Sequence, residues 1–184
     1  MVVDSVLWRR LDVSGHDVCR LERSSDGWQV LGMAVFRENG VLAGVTYEVA
    51  CDPAWRTRRG RVRGWHGMRS LNLDIARTAA DTWTLNGAAV PGLEACLDLD
   101  LGFTPATNVL PLRRLELGEG EAADAPAAWL DVAAGTLERL PQRYERRSSN
   151  TYWYESPTAG YAALLEAFPS GLVRRYPGLW EAEA

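Results

Sequence analysis

Asp98 and Asp100, in the stretch Cys96-Leu-Asp-Leu-Asp100, come nearest among the residues of this chain to a catalytic spacing. Side chains at i and i+2 of a strand leave the same face roughly 7 Å apart, a separation that overlaps the carboxylate pair of inverting glycosidases. One acid could protonate a leaving group while the other activates water. A simpler reading has the two carboxylates accepting turn amides or pairing with Arg113 and Arg114, because charged groups are rarely buried unless paired. Only His16 and His66 are available for other acid–base or metal work, and both stand in turn-like settings beside glycine without a ligand-spaced companion. No zinc site or His-based triad is expected from them, and neither a metal nor a cofactor is implied.

A second chemistry lies in Trp55-Arg-Thr-Arg-Arg-Gly-Arg-Val-Arg-Gly-Trp65, which holds five arginines and no acid. Read as one strand, it puts Trp55, Thr57, Arg59, Arg61, Arg63 and Trp65 on one face and Arg56, Arg58 and Val62 on the other. Guanidinium forks and indole planes suit phosphate, carboxylate, sugar or nucleic-acid recognition. The same charges would also protect a solvated edge strand from aggregation. Further on, Gln142-Arg-Tyr-Glu-Arg146 and Thr151-Tyr-Trp-Tyr-Glu-Ser156 alternate polar and aromatic residues, with Tyr152 and Tyr154 on one face; buried tyrosine hydroxyls need partners.

Composition removes several classes of function. All 20 basic residues are Arg, so chemistry that needs a lysine, such as Schiff-base formation or phosphate-loop and kinase-type phosphoryl transfer, is excluded. The net charge of −4 argues against a dedicated nucleic-acid binder. No apolar stretch approaches the roughly 20 residues of a membrane-crossing helix, and the N-terminus lacks a basic start followed by an apolar core, so a cytoplasmic location is expected. Cys19, Cys51 and Cys96 have no metal-ligand spacing and read as buried apolar side chains in a reducing compartment.

The elements that would position these groups are mostly strands. Turn dipeptides at Ser14-Gly15, Asp26-Gly27, Asn39-Gly40 and Asn86-Gly87 separate apolar alternating segments, the pattern of an antiparallel meander. Strands are expected at Ser5 to Leu11, Asp17 to Arg23, Trp28 to Arg37, Val41 to Ala50, Thr57 to Trp65, Arg69 to Ile75 and Thr82 to Leu85. Later ones are expected at Val109 to Leu117, Trp129 to Val132, Thr136 to Arg146, Thr151 to Glu155 and Leu172 to Tyr176. One amphipathic helix is predicted over Thr158 to Phe168, where Tyr161, Leu164, Leu165 and Phe168 follow helical spacing after Ser156-Pro157. The block Leu93 to Leu115 fits neither period: Pro105 and Pro111 break a helix, while polar residues interrupt its apolar run and must find partners. The expectation is one mainly β domain over residues 1–184, an antiparallel curved sheet or incompletely closed barrel with a C-terminal helix. A weak echo between Tyr47–Asp52 and Trp129–Val132 is compatible with internal duplication.

Four segments together resemble the bacterial family described as "Putative glycolipid-binding". They are Tyr47-x-Val-x-Cys51-Asp52-x-x-Trp55-x-Thr57-Arg58; Cys96-Leu-Asp98-Leu-Asp100 through Thr104-Pro105-x-Thr107-Asn108-x-Leu110-Pro111-Leu-Arg113-Arg114; Gln142-Arg143-Tyr144; and Gly171-Leu-Val-x-x-Tyr176-Pro177-Gly178-Leu. They span nearly the whole chain. Ala95 stands where the family usually has Gly, and Ala106 where it often has a bulkier aromatic residue. The resemblance implies a largely antiparallel, incompletely closed barrel distantly similar to bacterial lipoprotein carriers, with an apolar-lined concavity. It brings no catalytic residues with it.

The expected function is therefore a non-catalytic binding protein holding a lipid or glycolipid-like amphiphile in the concave side. Arg58, Asn108, Arg113 and Arg143 are the candidates for polar contacts, with Trp55 and Tyr144 as walls. Two alternatives stand beside it. One is an enzyme acting on a small phosphorylated or glycosylated compound through Asp98 or Asp100, and the other is an interaction module using the Arg59, Arg61 and Arg63 stripe.

Overall fold

The computed structural model describes residues 1–183. Strands β1 (Val2–Arg10), β2 (Gly15–Ser24), β3 (Gly27–Glu38), β4 (Val41–Cys51), β5 (Thr57–His66) and β6 (Arg69–Arg77) form a long meander, followed by the short β7 (Trp83–Leu85) and β8 (Ala88–Val90). Then come β9 (Asp98–Leu101), a single 3-10 turn at Ala106–Asn108 and helix α1 (Val109–Arg114). The chain returns to strands with β10 (Ala122–Asp124), β11 (Ala127–Asp131), β12 (Thr136–Leu140), β13 (Arg143–Arg146), β14 (Thr151–Ser156), β15 (Tyr161–Ala167), β16 (Val173–Tyr176) and β17 (Trp180–Ala182).

Fourteen strands make one antiparallel sheet in the order β10-β13-β14-β15-β16-β17-β1-β2-β3-β4-β5-β6-β7-β8, and β12-β11-β9 form a second. The ends of the chain meet in the middle of the large sheet, where β1 pairs with β17. Its edges, β10 and β8, do not pair, so the barrel stays open. Each edge strand is three residues long, which limits its capacity to recruit another chain. Alternation assigns the faces: Cys19 and Leu21, Val45, Tyr47 and Val49, and Leu71, Leu73 and Ile75 all point inward and are buried.

The inner side is filled by the chain's own central block. Leu99, Leu101, Ala106, Val109 and Leu110 are fully buried, and Phe103 stacks against Phe36 with ring centroids 5.9 Å apart. Gly60 makes room for this packing, since a Cβ there would lie 2.4 Å from Leu99 Cδ2. The polar groups of the block are partnered. Thr57 Oγ1 accepts the Leu99 N–H at 3.0 Å, Thr107 Oγ1 accepts that of Leu101 at 3.2 Å, and Thr104 Oγ1 accepts that of Ala106 at 3.0 Å. The concavity implied by the family resemblance is thus largely occupied by these residues.

Several sequence expectations need correction. The helix predicted over Thr158 to Phe168 is a 3-10 turn at Pro157–Ala159, ended by Gly160 at φ 62°, followed by strand β15. Leu165 and Ala167 are buried on its inner side while Leu164 is exposed. Backbone pairing with β14 and β16 on both flanks outweighs the local helical period, as tertiary context commonly does. Conversely, Val109 to Leu117, predicted as strand, contains α1. Pro111 is its third residue, within the first turn, where a missing N–H forfeits no intrahelical bond. Thr136 to Arg146 is split at Pro141 and Gln142 into β12 and β13, which belong to different sheets. Among the described residues one strand pair is parallel, β9 with β11, and α1 lies within the crossover that joins them. The two segments that echo one another fall on β4 and β11, also in different sheets.

Candidate functional site

Strand β9 presents both carboxylates, and the structure gives them different fates. Asp98 is buried and held by Arg114 at the end of α1, whose Nε and Nη2 donate to its two oxygens at 3.0 and 2.6 Å. Asp100 accepts from Gln142 Nε2 at 2.5 Å through Oδ2, and Oδ1 takes no hydrogen bond from the described residues. Burial pushes the Asp100 pKa up to about 6 against the downward pull of Gln142, and the Asp98 charge adds to the rise.

Gln142 is itself oriented by a chain of polar groups. Asn108, at the entry to α1, donates through Nδ2 to the Tyr144 hydroxyl at 2.9 Å, and that hydroxyl donates to Gln142 Oε1 at 3.3 Å. Tyr144 is wholly buried. Its ring begins a tyrosine cluster, 4.9 Å from Tyr154, which lies 5.7 Å from Tyr176; Tyr176 in turn lies 5.2 Å from Tyr161. Burial raises the pKa of each of these phenols, that of Tyr161 to about 12. All four therefore stay protonated near neutrality and remain donors.

Part of this network borders a cleft of about 270 Å³ between β9 and β11 on one side and β14 to β17 on the other, with Gln142 and Tyr144 behind its wall. Asp100, Asn108 and Thr104 supply polar groups; Trp129, Tyr154, Tyr161, Tyr176 and Trp180 supply aromatic walls. Ser156 also lines it, and its buried Oγ has no hydrogen-bond partner. The Ser156 hydroxyl lies near enough to the Tyr154 phenol to pull its pKa down against the larger effect of burial, yet the contact falls short of a formed hydrogen bond. Behind Thr104 sits Asp17, buried on β2. Tyr47 Oη donates to its two oxygens at 2.9 and 3.1 Å, and the Thr104 hydroxyl donates to Oδ2. Desolvation raises the Asp17 pKa to about 7, although both hydroxyls pull it down. Gly32 lets the Tyr47 ring reach this acid, since a Cβ there would lie 2.2 Å from the phenol.

Of the six sequence candidates, the structure brings Asn108 and Tyr144 together in this network. Arg143 faces outward and pairs with the exposed Asp124 at 3.0 Å. Trp55 and Arg113 share a separate groove of about 460 Å³. There Trp55, at φ 65°, stacks on Trp28 at 4.1 Å, and Arg113 lies 5.8 Å above the Trp55 ring. Arg58 lines a third groove with Arg56 and Arg77. The face predicted for the arginine-rich run is revised: Trp55 precedes β5, and a bulge at Arg58 turns Thr57 inward, away from Arg59. Arg59, Arg61 and Arg63 do share the outer face, but each pairs with Glu48 or Asp74, and β5 is an interior strand rather than an edge.

Sequence reasoning passed over Asp17, Gln142, Ser156, Tyr161 and Tyr176. A signal existed for Asp17, which alternates in register with Cys19 and Leu21 and so had to point inward. No comparable signal marks Tyr161, whose spacing to Leu164, Leu165 and Phe168 is helical. The three cysteines are free and buried, as expected. Among the described residues, no group of three His, Cys, Asp or Glu could hold a metal ion, and no helix is long and apolar enough to cross a membrane.

The crystal structure of a DUF1089 family protein from Pseudomonas aeruginosa is similar to this fold. The TM-score is 0.79 and the identity 26%, over 90% of this chain and 91% of that one. No curated protein matches the sequence significantly. The profile of the family described as "Putative glycolipid-binding" matches residues 5–182, nearly the whole chain. The chain belongs to that family.

Proposed function

We propose that the protein binds a glycolipid-like amphiphile and that the Asp100 cleft receives its hydroxyl-bearing head. The observation that carries this reading is the convergence of an unshared Asp100 oxygen, Asn108 and the unpartnered Ser156 hydroxyl with five aromatic side chains in one cleft. A sugar ring offers hydroxyls at its rim and apolar C–H faces, and such a wall meets both; binding sites combine mostly apolar linings with a few placed polar groups in this manner. The cleft is near the lower end of ligand-pocket volumes, about 300 Å³, which suits a ring-sized head and not an acyl chain. Asn108 is then a direct contact and Tyr144 a positioning residue behind it, while Trp55 with Arg113 forms a second aromatic and cationic surface in its own groove.

The experiment is native mass spectrometry followed by calorimetric titration with a panel of glycolipids and the free sugars of their heads. Asp100→Asn keeps an acceptor for Gln142 and removes the charge, so affinity should fall by about tenfold or more, the weight of one charge-assisted hydrogen bond. A panel that yields no binding, or an affinity indifferent to Asp100→Asn, would overturn the reading.

One observation favours an enzyme instead: an acid with pKa near 6 in a cleft is poised for proton transfer. A two-carboxylate mechanism would need a second acid, yet Asp98 is engaged by Arg114 and Asp17 lies behind Thr104. Turnover of glycosides or sugar phosphates that disappears in Asp100→Asn would establish the enzyme over the binding protein.

A further inference from the structure

The register of β5 against β4 jumps from Ala50 opposite Arg59 to Cys51 opposite Thr57, leaving Arg58 as an extra, unpaired residue. Such a bulge redirects side chains. It turns Thr57 inward, where its N–H donates to the Leu97 carbonyl and its Oγ1 accepts from Leu99. That anchoring of β9 accounts for the bulge. It does not account for what the bulge leaves outside.

Arg58 joins Arg56 and Arg77 around a groove of about 630 Å³. On the other side of β5, Arg59 opposes Ala76, so Arg58 and Arg77 are neighbours across adjacent strands, and like charges so placed destabilise a sheet. The two acids facing the groove are already engaged: Asp81 pairs with Arg77 Nη2, and Asp52 Oδ1 accepts the Arg56 backbone N–H at 2.9 Å. Arg56 and Arg58 have no ion-pair partner among the described residues, in contrast to Arg59, Arg61 and Arg63. The buried Nε of Arg77 also lacks a hydrogen-bond partner.

We propose that this groove is a phosphate-binding site, with Arg56 and Arg58 supplying forked contacts and Arg77 the charge at its inner end. Guanidinium groups bind phosphate oxygens in pairs with matched planar geometry, and a phosphate would give Arg56 and Arg58 the anionic partner that Asp81, paired with Arg77, and Asp52, bound to a backbone N–H, do not give them. The site is separate from the Asp100 cleft and stands or falls independently of it.

The test is a titration with inorganic phosphate, following arginine Nε–Hε signals by NMR, in the wild type and in an Arg56→Gln/Arg58→Gln variant. Both side chains are exposed, so their replacement leaves the core intact. Saturable shifts at Arg58 and Arg77 are expected, with affinity at least about tenfold weaker in the variant and declining with added salt. A parallel arm measures retention on phosphatidylcholine vesicles with and without phosphatidic acid. Binding of free phosphate assigns a soluble phosphorylated ligand, whereas retention only on phosphatidic acid vesicles, lost in the variant, assigns a lipid headgroup. No saturable response in either arm, or an equal response from the variant, would overturn the proposal.

Discussion

Replacing Asp17 with asparagine should change how the stability of this protein depends on pH. Asp17 is buried on β2, and desolvation raises its pKa from 3.8 to about 7 despite hydrogen bonds from Thr104 and Tyr47. Between those values the native state holds a proton that the unfolded state has released. Stability therefore falls as pH rises through this window, and the contribution of the protonated acid is fully present only below the unfolded value. A shift of this size corresponds to ~4 kcal/mol, lost between about pH 4 and pH 7. The amide introduced by Asp17→Asn would not titrate, and it can replace the neutral acid in size. The variant should be of similar or lower stability near pH 4, and its stability relative to wild type should climb by ~4 kcal/mol toward neutral pH. Urea unfolding followed by tryptophan fluorescence across that range, with the two proteins compared at each pH, isolates the contribution of Asp17 from that of other titrating groups. A stability difference that stays constant with pH would refute the reasoning, because Asp17 would then ionise alike in both states.

Two further substitutions test the framework around the cleft. Arg114→Met leaves the Asp98 carboxylate buried without its ion-pair partner and should destabilise the protein by about 3 to 5 kcal/mol; adding Asp98→Asn should restore much of the loss in chemical denaturation. Gly60→Ala drives a methyl into Leu99 Cδ2 and should lower stability by about 1 to 3 kcal/mol, read as a lower melting temperature.

The meander was legible because each of its strands carries an inward apolar period of two bounded by turn residues. Asn39-Gly40 and Asn86-Gly87 adopt the positive φ angles that such hairpins require. The fate of Leu93 to Leu115 was not legible, since its prolines and polar residues satisfy neither period. Thr104 and Thr107 close backbone bonds inside the block itself, while the bond from the Leu99 N–H to Thr57 exists only once β9 lies against β5. For β15, the helical spacing of Tyr161, Leu164, Leu165 and Phe168 is real, but backbone pairing with a strand on each flank outweighs an isolated helix over Thr158 to Phe168.

The same division holds for the candidate site. Asn108, Tyr144 and the paired state of Asp98 could be picked out by residue type, since polar groups in an apolar run must be satisfied. Which carboxylate would face a cleft could not. The sequence alone determined a β-rich chain without lysine chemistry, the inward faces of the first four strands of the meander, and its family. Tertiary structure decided that Arg114 captures Asp98 while Asp100 meets Gln142 and three tyrosines from strands distant in the chain. Local spacing encodes which way a side chain points, but the groups that face it across a sheet are set by long-range pairing.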